Sequence, residues 1–265
     1  MQSRIAIVQF RIRHLDRENN FQRIESFIAQ AKLANANVVV FPEDFITGSI
    51  FGDLTRLDRM YTNRDAFRTM ARKYQIDIVT GSSMEGRLDG NFNTSYYINA
   101  QGEILGEYRK NHLHPSEYSF LKPGNEAPVF ETAHGRAGIV ICWDMLFPEI
   151  FKRMKAQGVQ IIYCPSYWYQ EIAESMSEHN PHSEGQLLDA LCLTRSVETN
   201  AALIYCNAAG IMKNPNGSVD TLIGHSQAVL PVFGSLVRQT NNEEVMTMVD
   251  LDLKWLEKSA DIYKT

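Results

Sequence analysis

Short, wholly apolar runs alternate along this chain with stretches in which apolar residues recur at helical spacing. "RIAIVQF" predicts a first strand, and "NVVVFPE", closed by Pro42, predicts a buried one. Between them Phe21, Ile24, Phe27, Ile28, Ala31 and Leu33 are spaced as one face of a helix. Residues 63–74 predict a second helix, and "IDIVTGS" another buried strand. The pattern then changes. "FNTSYYINAQGEILGEYRK" places two β segments around an "AQGE" turn, a hairpin signal. "APVFET" and "RAGIVICWD" form a second pair around His134 and Gly135.

The second half resumes the alternation. "PEIFKRMKAQG" predicts a helix closed by Gly158, and "VQIIYCPS" a buried strand. "SEGQLLDALCLTRSVETN" predicts a long helix opened by capping-type residues, and "AALIYCNAAG" is buried again. "GHSQAVLPVFGSLVRQ" and "EEVMTMVDLDL" close the chain as antiparallel-type strands. Helices mixed with strands and hairpins imply layered α/β architecture. No Pro/Gly/Ser-rich linker divides the 265 residues, so one domain is expected. The two halves run in a similar order, a hint of internal symmetry.

Composition narrows the function classes. A net charge of −5 argues against a nucleic-acid binder, which carries a basic face. No apolar run approaches the ~18 residues of a membrane helix, and the N-terminus shows no leader pattern. The four cysteines form no CxxC pair, which suits reduced thiols rather than a disulfide framework or a zinc site. A cytoplasmic protein that neither spans nor anchors to a membrane is expected.

Three predicted strand ends carry reactive groups: Glu43, Lys110 and Cys142. Ligand sites in layered α/β folds gather at the carboxyl ends of strands. Taken singly, each group has an ordinary role as a capping acid, a solvated lysine or a packed thiol. Together they form a chemistry. A thiol becomes a strong nucleophile once deprotonated. A buried glutamate can take its proton. A lysine can steady a developing oxyanion. In "AGIVICWDMLFPE" the thiol ends a buried run, an acid stands two residues on and a proline six. A sharp elbow would expose the sulfur, and a helix starting near Phe147–Pro148 would direct its N–H groups at it.

"VVVFPEDFITG", "GEYRKNHLHPSE" and "GIVICWDMLFPE", in that order, resemble the glutamate, lysine and cysteine blocks of the nitrilase superfamily of carbon–nitrogen hydrolases. "RSVETNAALIYCNAAG" and "GHSQAVLP" resemble two further blocks, so the likeness covers nearly the whole chain. "CWD" before "FPE" is more similar to amidases than to nitrilases. The resemblance implies a four-layer αββα sandwich assembled as a homodimer or larger. It implies Glu43 as general base, Lys110 as stabilising ammonium, Cys142 as nucleophile and Glu117 as a second, assisting glutamate. The Trp143 backbone N–H is implied in the oxyanion hole. The substrate would be a small amide or carbamoyl amide, split through a thioester with no metal or organic cofactor. A nitrile substrate, and a non-catalytic protein that kept the fold, are the alternatives.

Around this core, Tyr167, Trp168 and Tyr169 in "CPSYWYQE" are candidate pocket walls, as is His114. His112 and His114 invite a cysteine–histidine reading, but Glu43 already supplies a base. His179 and His182 lack metal-ligand spacing. Cys164, Cys192 and Cys206 are expected in the core. The segment from Glu117 to the next strand is short, which predicts an open site entrance.

Overall fold

A computed structural model describes residues 2–176, 178–214 and 217–263. The strands in chain order begin with β1 (Gln2–Gln9), β2 (Val38–Val40), β3 (Asp77–Val79), β4 (Ser83–Arg87), β5 (Gly90–Ile98) and β6 (Ile104–Arg109). These form the first sheet. The second holds β7 (Val129–Thr132), β8 (Gly135–Ile139), β9 (Ile161–Ser166) and β10 (Ala202–Asn207). A short ribbon of β11 (Ile211–Lys213) and β12 (Val219–Thr221) follows. Then β13 (Gln227–Leu230) and β14 (Gly234–Arg238) extend the second sheet. Finally β15 (Val245–Asp252) returns to the first sheet, antiparallel to β1.

Each sheet has a parallel centre and antiparallel flanks. In the first, β1, β2 and β3 are parallel, flanked by β15 and β5. In the second, β8, β9 and β10 are parallel, flanked by β7 and β13. The two halves therefore share one plan, as their similar order suggested.

Alternation along the strands sorts the core. Ile5, Ile7, Val38, Val40 and Tyr97 of the first sheet pack in one cluster with Ile139, Ile161, Tyr163, Leu203 and Tyr205 of the second. The intervening residues Ala6, Val8, Val39 and Ile78 face the other way, onto Ile24, Ile28, Phe67 and Ala71. Those four belong to helices α1 (Arg17–Leu33) and α2 (Thr62–Tyr74). Helices α3 (Pro148–Ala156) and α4 (Ser183–Thr199) cover the second sheet through Ile150, Phe151, Met154, Leu188 and Cys192. The layers run helix, sheet, sheet, helix, which is the αββα sandwich.

The expected elements are present, with differences at the edges. The capping start expected for α4 is absent: His182 is its N-cap without a side-chain bond, and Glu184 turns inward to accept from the Trp168 indole at 2.6 Å. The ribbon β11–β12, the strand β4 and a C-terminal helix α5 (Lys254–Tyr263) lie outside the elements expected from the sequence.

One glycine governs the loop that bears Glu43. A Cβ on Gly81, just past β3, would lie 1.7 Å from the Pro42 carbonyl oxygen. The loop after β2 packs directly on this bare backbone. Gly81→Ala must push that loop aside, at an expected cost of about 1–3 kcal/mol. Thermal melting should show the loss, and activity should fall further than the melting shift alone explains. Unchanged stability and activity would contradict this packing.

Candidate active site

After β8 the chain turns so sharply that Cys142 takes φ 46°, a conformation uncommon for a residue with a side chain. Such backbone stores about 1–3 kcal/mol and persists only where its surroundings hold it. Asp144, fully buried, is the main brace. It accepts hydrogen bonds from the Ile141 N–H (2.9 Å), the Tyr108 hydroxyl (2.6 Å) and the His112 N–H (2.8 Å). His112 Nδ1 lies 2.8 Å from the same carboxylate, and its ring stacks flat on Phe147. From α4, the Arg195 guanidinium donates twice to the Met145 carbonyl, at 3.1 and 3.0 Å. The acid two residues after the cysteine thus fixes the elbow, and His112 belongs to the brace.

The expected helix, α3, begins at Pro148 after Phe147 as its N-cap, and a 3₁₀ turn, Cys142–Leu146, lies between it and β8. The first internal bond of that turn runs from the Asp144 N–H to the Ile141 carbonyl, at 3.1 Å. The turn itself offers no acceptor for the Trp143 N–H, so that group is left for another partner.

The widely spaced groups converge. Lys110, one residue past β6, places Nζ 2.8 Å from Glu43 Oε1 and 2.7 Å from Glu117 Oε2. Asn93 of β5 donates through Nδ2 to both acids, at 2.9 and 3.1 Å. The Tyr167 N–H donates to Glu43 Oε2 (3.0 Å), and the His114 N–H to Glu117 Oε2 (2.7 Å). The Cys142 thiol lies near enough to the Glu43 carboxyl for each to act on the other's proton affinity. Glu43, Lys110, Glu117 and Cys142 are 3%, 2%, 6% and 5% exposed.

Burial sets their proton affinities in opposite senses. Burial pushes the Glu43 carboxyl up, and Glu117 adds to this, against the pull of Lys110. Burial also acts on Glu117, but Lys110 and the donors around it outweigh that and hold it below its usual range. Lys110 loses hydration by burial, yet Glu117 and Glu43 keep it well above its ordinary value. The Cys142 thiol is pushed well up by burial and by Glu43. The resting arrangement is a Glu117–Lys110 ion pair beside a neutral thiol. Glu43 is the acid readier to hold a proton.

These groups face a cavity of about 290 Å³. Tyr167, Tyr169, His114 and Trp143 line it as well. Trp168 does not. It is fully buried, stacks on Trp143 and donates its indole N–H to Glu184, so it supports the wall from behind. Side chains in extended backbone alternate, so Tyr167 and Tyr169 share a face that Trp168 cannot. The segment after Glu117 is not alone in bordering the site. Phe51 from the loop after β2, Ile172 and Asp220 of β12 border the cavity. Asn93, Asp44 and Asp220 are site residues that sequence reasoning missed.

Among the described residues no group of three or more His, Cys, Asp or Glu could hold a metal ion. No helix among them is long and apolar enough to cross a membrane.

Fold and site together define a hydrolase of carbon–nitrogen bonds other than peptide bonds, working through a cysteine. The carbon-nitrogen hydrolase family model matches residues 4–260, and the chain belongs to that family. It is similar to 2-oxoglutaramate amidase of Bacillus subtilis, 27% identical over 97% of this chain and 93% of that protein. Omega-amidase NIT2 of Homo sapiens is 27% identical over 98% and 96% of the two chains. Among solved structures, Saccharomyces cerevisiae Nit3, of the nitrilase superfamily, superposes with a TM-score of 0.83 at 25% identity, covering 98% of this chain and 94% of that one. A mutant amidase from Nesterenkonia sp. AN1 does so at 0.79 and 26%, covering 99% and 95%. That amidase carries the acetamide moiety of fluoroacetamide, added covalently at its active site cysteine.

The brace makes a specific expectation. Asp144→Ala strands several buried donors, each costing roughly 1–3 kcal/mol when unpaired. The protein should lose about 3 kcal/mol or more in denaturant unfolding. A loss under about 1 kcal/mol would show that the elbow is held elsewhere.

Proposed function

We propose that this protein hydrolyses a small amide to a carboxylic acid and ammonia or an amine, through a thioester on Cys142. The observation that carries the reading is the Lys110 ammonium bridging Glu43 and Glu117 in a cavity that the Cys142 thiol also lines. The amidase relatives, and the neighbour whose active site cysteine carries a covalently added acetamide moiety, support it.

The chemistry follows from the proton affinities. Glu43 takes the proton from the Cys142 thiol as the sulfur attacks the amide carbonyl carbon. A lone thiolate in this buried site would be costly, so proton transfer and attack proceed together. The carbonyl oxygen gains charge, which Lys110 Nζ and the free Trp143 N–H stabilise. Glu43 returns the proton to the departing nitrogen, and the carbon–nitrogen bond breaks to leave the thioester. Water then gives its proton to Glu43 and attacks the same carbon. The sulfur leaves and recovers its proton, and the acid departs. One hard step becomes two easier ones. Glu117 holds Lys110 charged and in place, and Asn93 keeps the two acids apart. Tyr167 and His114 shape the substrate's space.

We read the whole chain as one folding unit, working as a homodimer or larger assembly in the cytoplasm. Four free thiols and exposed Leu33, Met60, Val232 and Phe233 support the compartment and the assembly.

Cys142→Ala should lower ammonia release from an amide by about four orders of magnitude or more. Retained activity would exclude the thioester and favour the non-catalytic reading of the thiol. A matched nitrile should release ammonia more slowly than its amide; the reverse order would favour a nitrilase. Glu43 must be ionised to act, and burial raises its affinity for a proton. Activity should therefore fall, as pH is lowered, at a pH above the ordinary carboxylate range. An acid limb of kcat/KM at or below that range would contradict the role of Glu43.

A further inference from the structure

The wall of the cavity carries groups that this reaction does not use. Asp44 follows Glu43, takes φ 53°, is 7% exposed and lines the cavity. Its N–H reaches Ser82 Oγ at 3.4 Å, but its carboxyl accepts no hydrogen bond from any described residue. Burial and the charges of Glu43 and Glu117 push its proton affinity well up, against the pull of Lys110. Asp220 lies on β12, 9% exposed, and accepts from the Tyr167 hydroxyl at 3.0 Å. Asn214 contributes a buried Oδ1 with no partner. The Tyr169 and Phe51 rings complete this side.

The charges are one-sided. Among the described residues lining the cavity, the acids are Glu43, Asp44, Glu117 and Asp220. Lys110 is the lining cation, and it is already held between two acids. Burial, together with Lys110, holds the His114 imidazole below its ordinary value, so it is neutral at physiological pH. A substrate ending in a carboxylate would meet like charge and no uncommitted cation, which discriminates strongly against it. An ammonium would meet two carboxyls, an unpaired amide oxygen and aromatic faces.

We propose that this cavity selects amides whose far end carries a positively charged amine, held by Asp44, Asp220 and Asn214, and rejects amides that end in a carboxylate. The proposal rests on the amide-hydrolase reading and adds the charge of the substrate. It makes Asp44 and Asp220 specificity-determining residues. Both stand outside the proton transfers at Cys142.

Three amides of equal length separate the possibilities: 5-aminopentanamide, pentanamide and glutaramate. Calorimetric binding to Cys142→Ala protein reads charge preference without turnover. The amine should bind at least about tenfold more tightly than pentanamide, as expected for hydrogen bonds to a charged group. Glutaramate should bind least. Asp44→Asn and Asp220→Asn, each added to that protein and checked by thermal melting, should each remove most of the preference. Equal or absent binding across the series, tighter binding of glutaramate, or a preference untouched in both variants would overturn the proposal. Ammonia release by the native protein is read separately. Turnover of pentanamide without charge preference defeats this proposal alone. Charge preference with no turnover of any amide defeats the hydrolase reading alone.

Discussion

The structure turns on one buried cation. Lys110, 2% exposed, gives up its hydration to sit between Glu43 and Glu117. Removing a charge from water costs several kcal/mol, and one partner seldom repays it. Here two carboxylates, fixed by Asn93 and two backbone N–H groups, make the repayment. The arrangement also prevents two neighbouring acids from simply sharing a proton. Glu117 stays ionised to hold the lysine, which leaves Glu43 free to cycle a proton with the sulfur. Loss of any member would leave the others as unpaired charges in a dry site.

The fold's part is to bring distant strand ends to this point. Lys110 follows β6, Glu43 follows β2 and Cys142 follows β8 of the other sheet. The cluster therefore lies where the two sheets meet, and its geometry depends on their packing. Two loops needed special backbone to reach it. The Glu43 loop lies on bare Gly81. Cys142 adopts a left-handed turn that Asp144, His112 and Arg195 hold. Strain at the nucleophile is offset by a polar network that takes no part in the chemistry.

Much of this was legible in the sequence. Buried runs ending in Glu43, Lys110 and Cys142 marked the converging groups, and the hairpin around residues 98–104 paired as its turn signal implied. What escaped depended on three-dimensional proximity. Asn93 lies within β5 and matters because that strand pairs with β6, placing it beside Lys110. Asp44 looked like the companion of Glu43, and nothing local marks the turn that sends it to the cavity. Asp220 arrives on a three-residue strand too short to give a periodic signal. Trp168 was misplaced because the aromatic triplet was read as one wall, whereas extended backbone alternates its faces. Phe51, Ile172 and Asp220, remote in sequence from Glu117, also line the cavity, and no local signal marks them.

The central claim is that, of four buried thiols, the Glu43–Lys110–Glu117 cluster makes Cys142 alone able to be acylated. Brief exposure of the native protein to a small activated acyl donor, an acid quench and peptide mass mapping test it most directly. The account predicts a stoichiometric acyl adduct on Cys142, with Cys164, Cys192 and Cys206 unmodified. An adduct spread over all four, or one that spares Cys142, would contradict it.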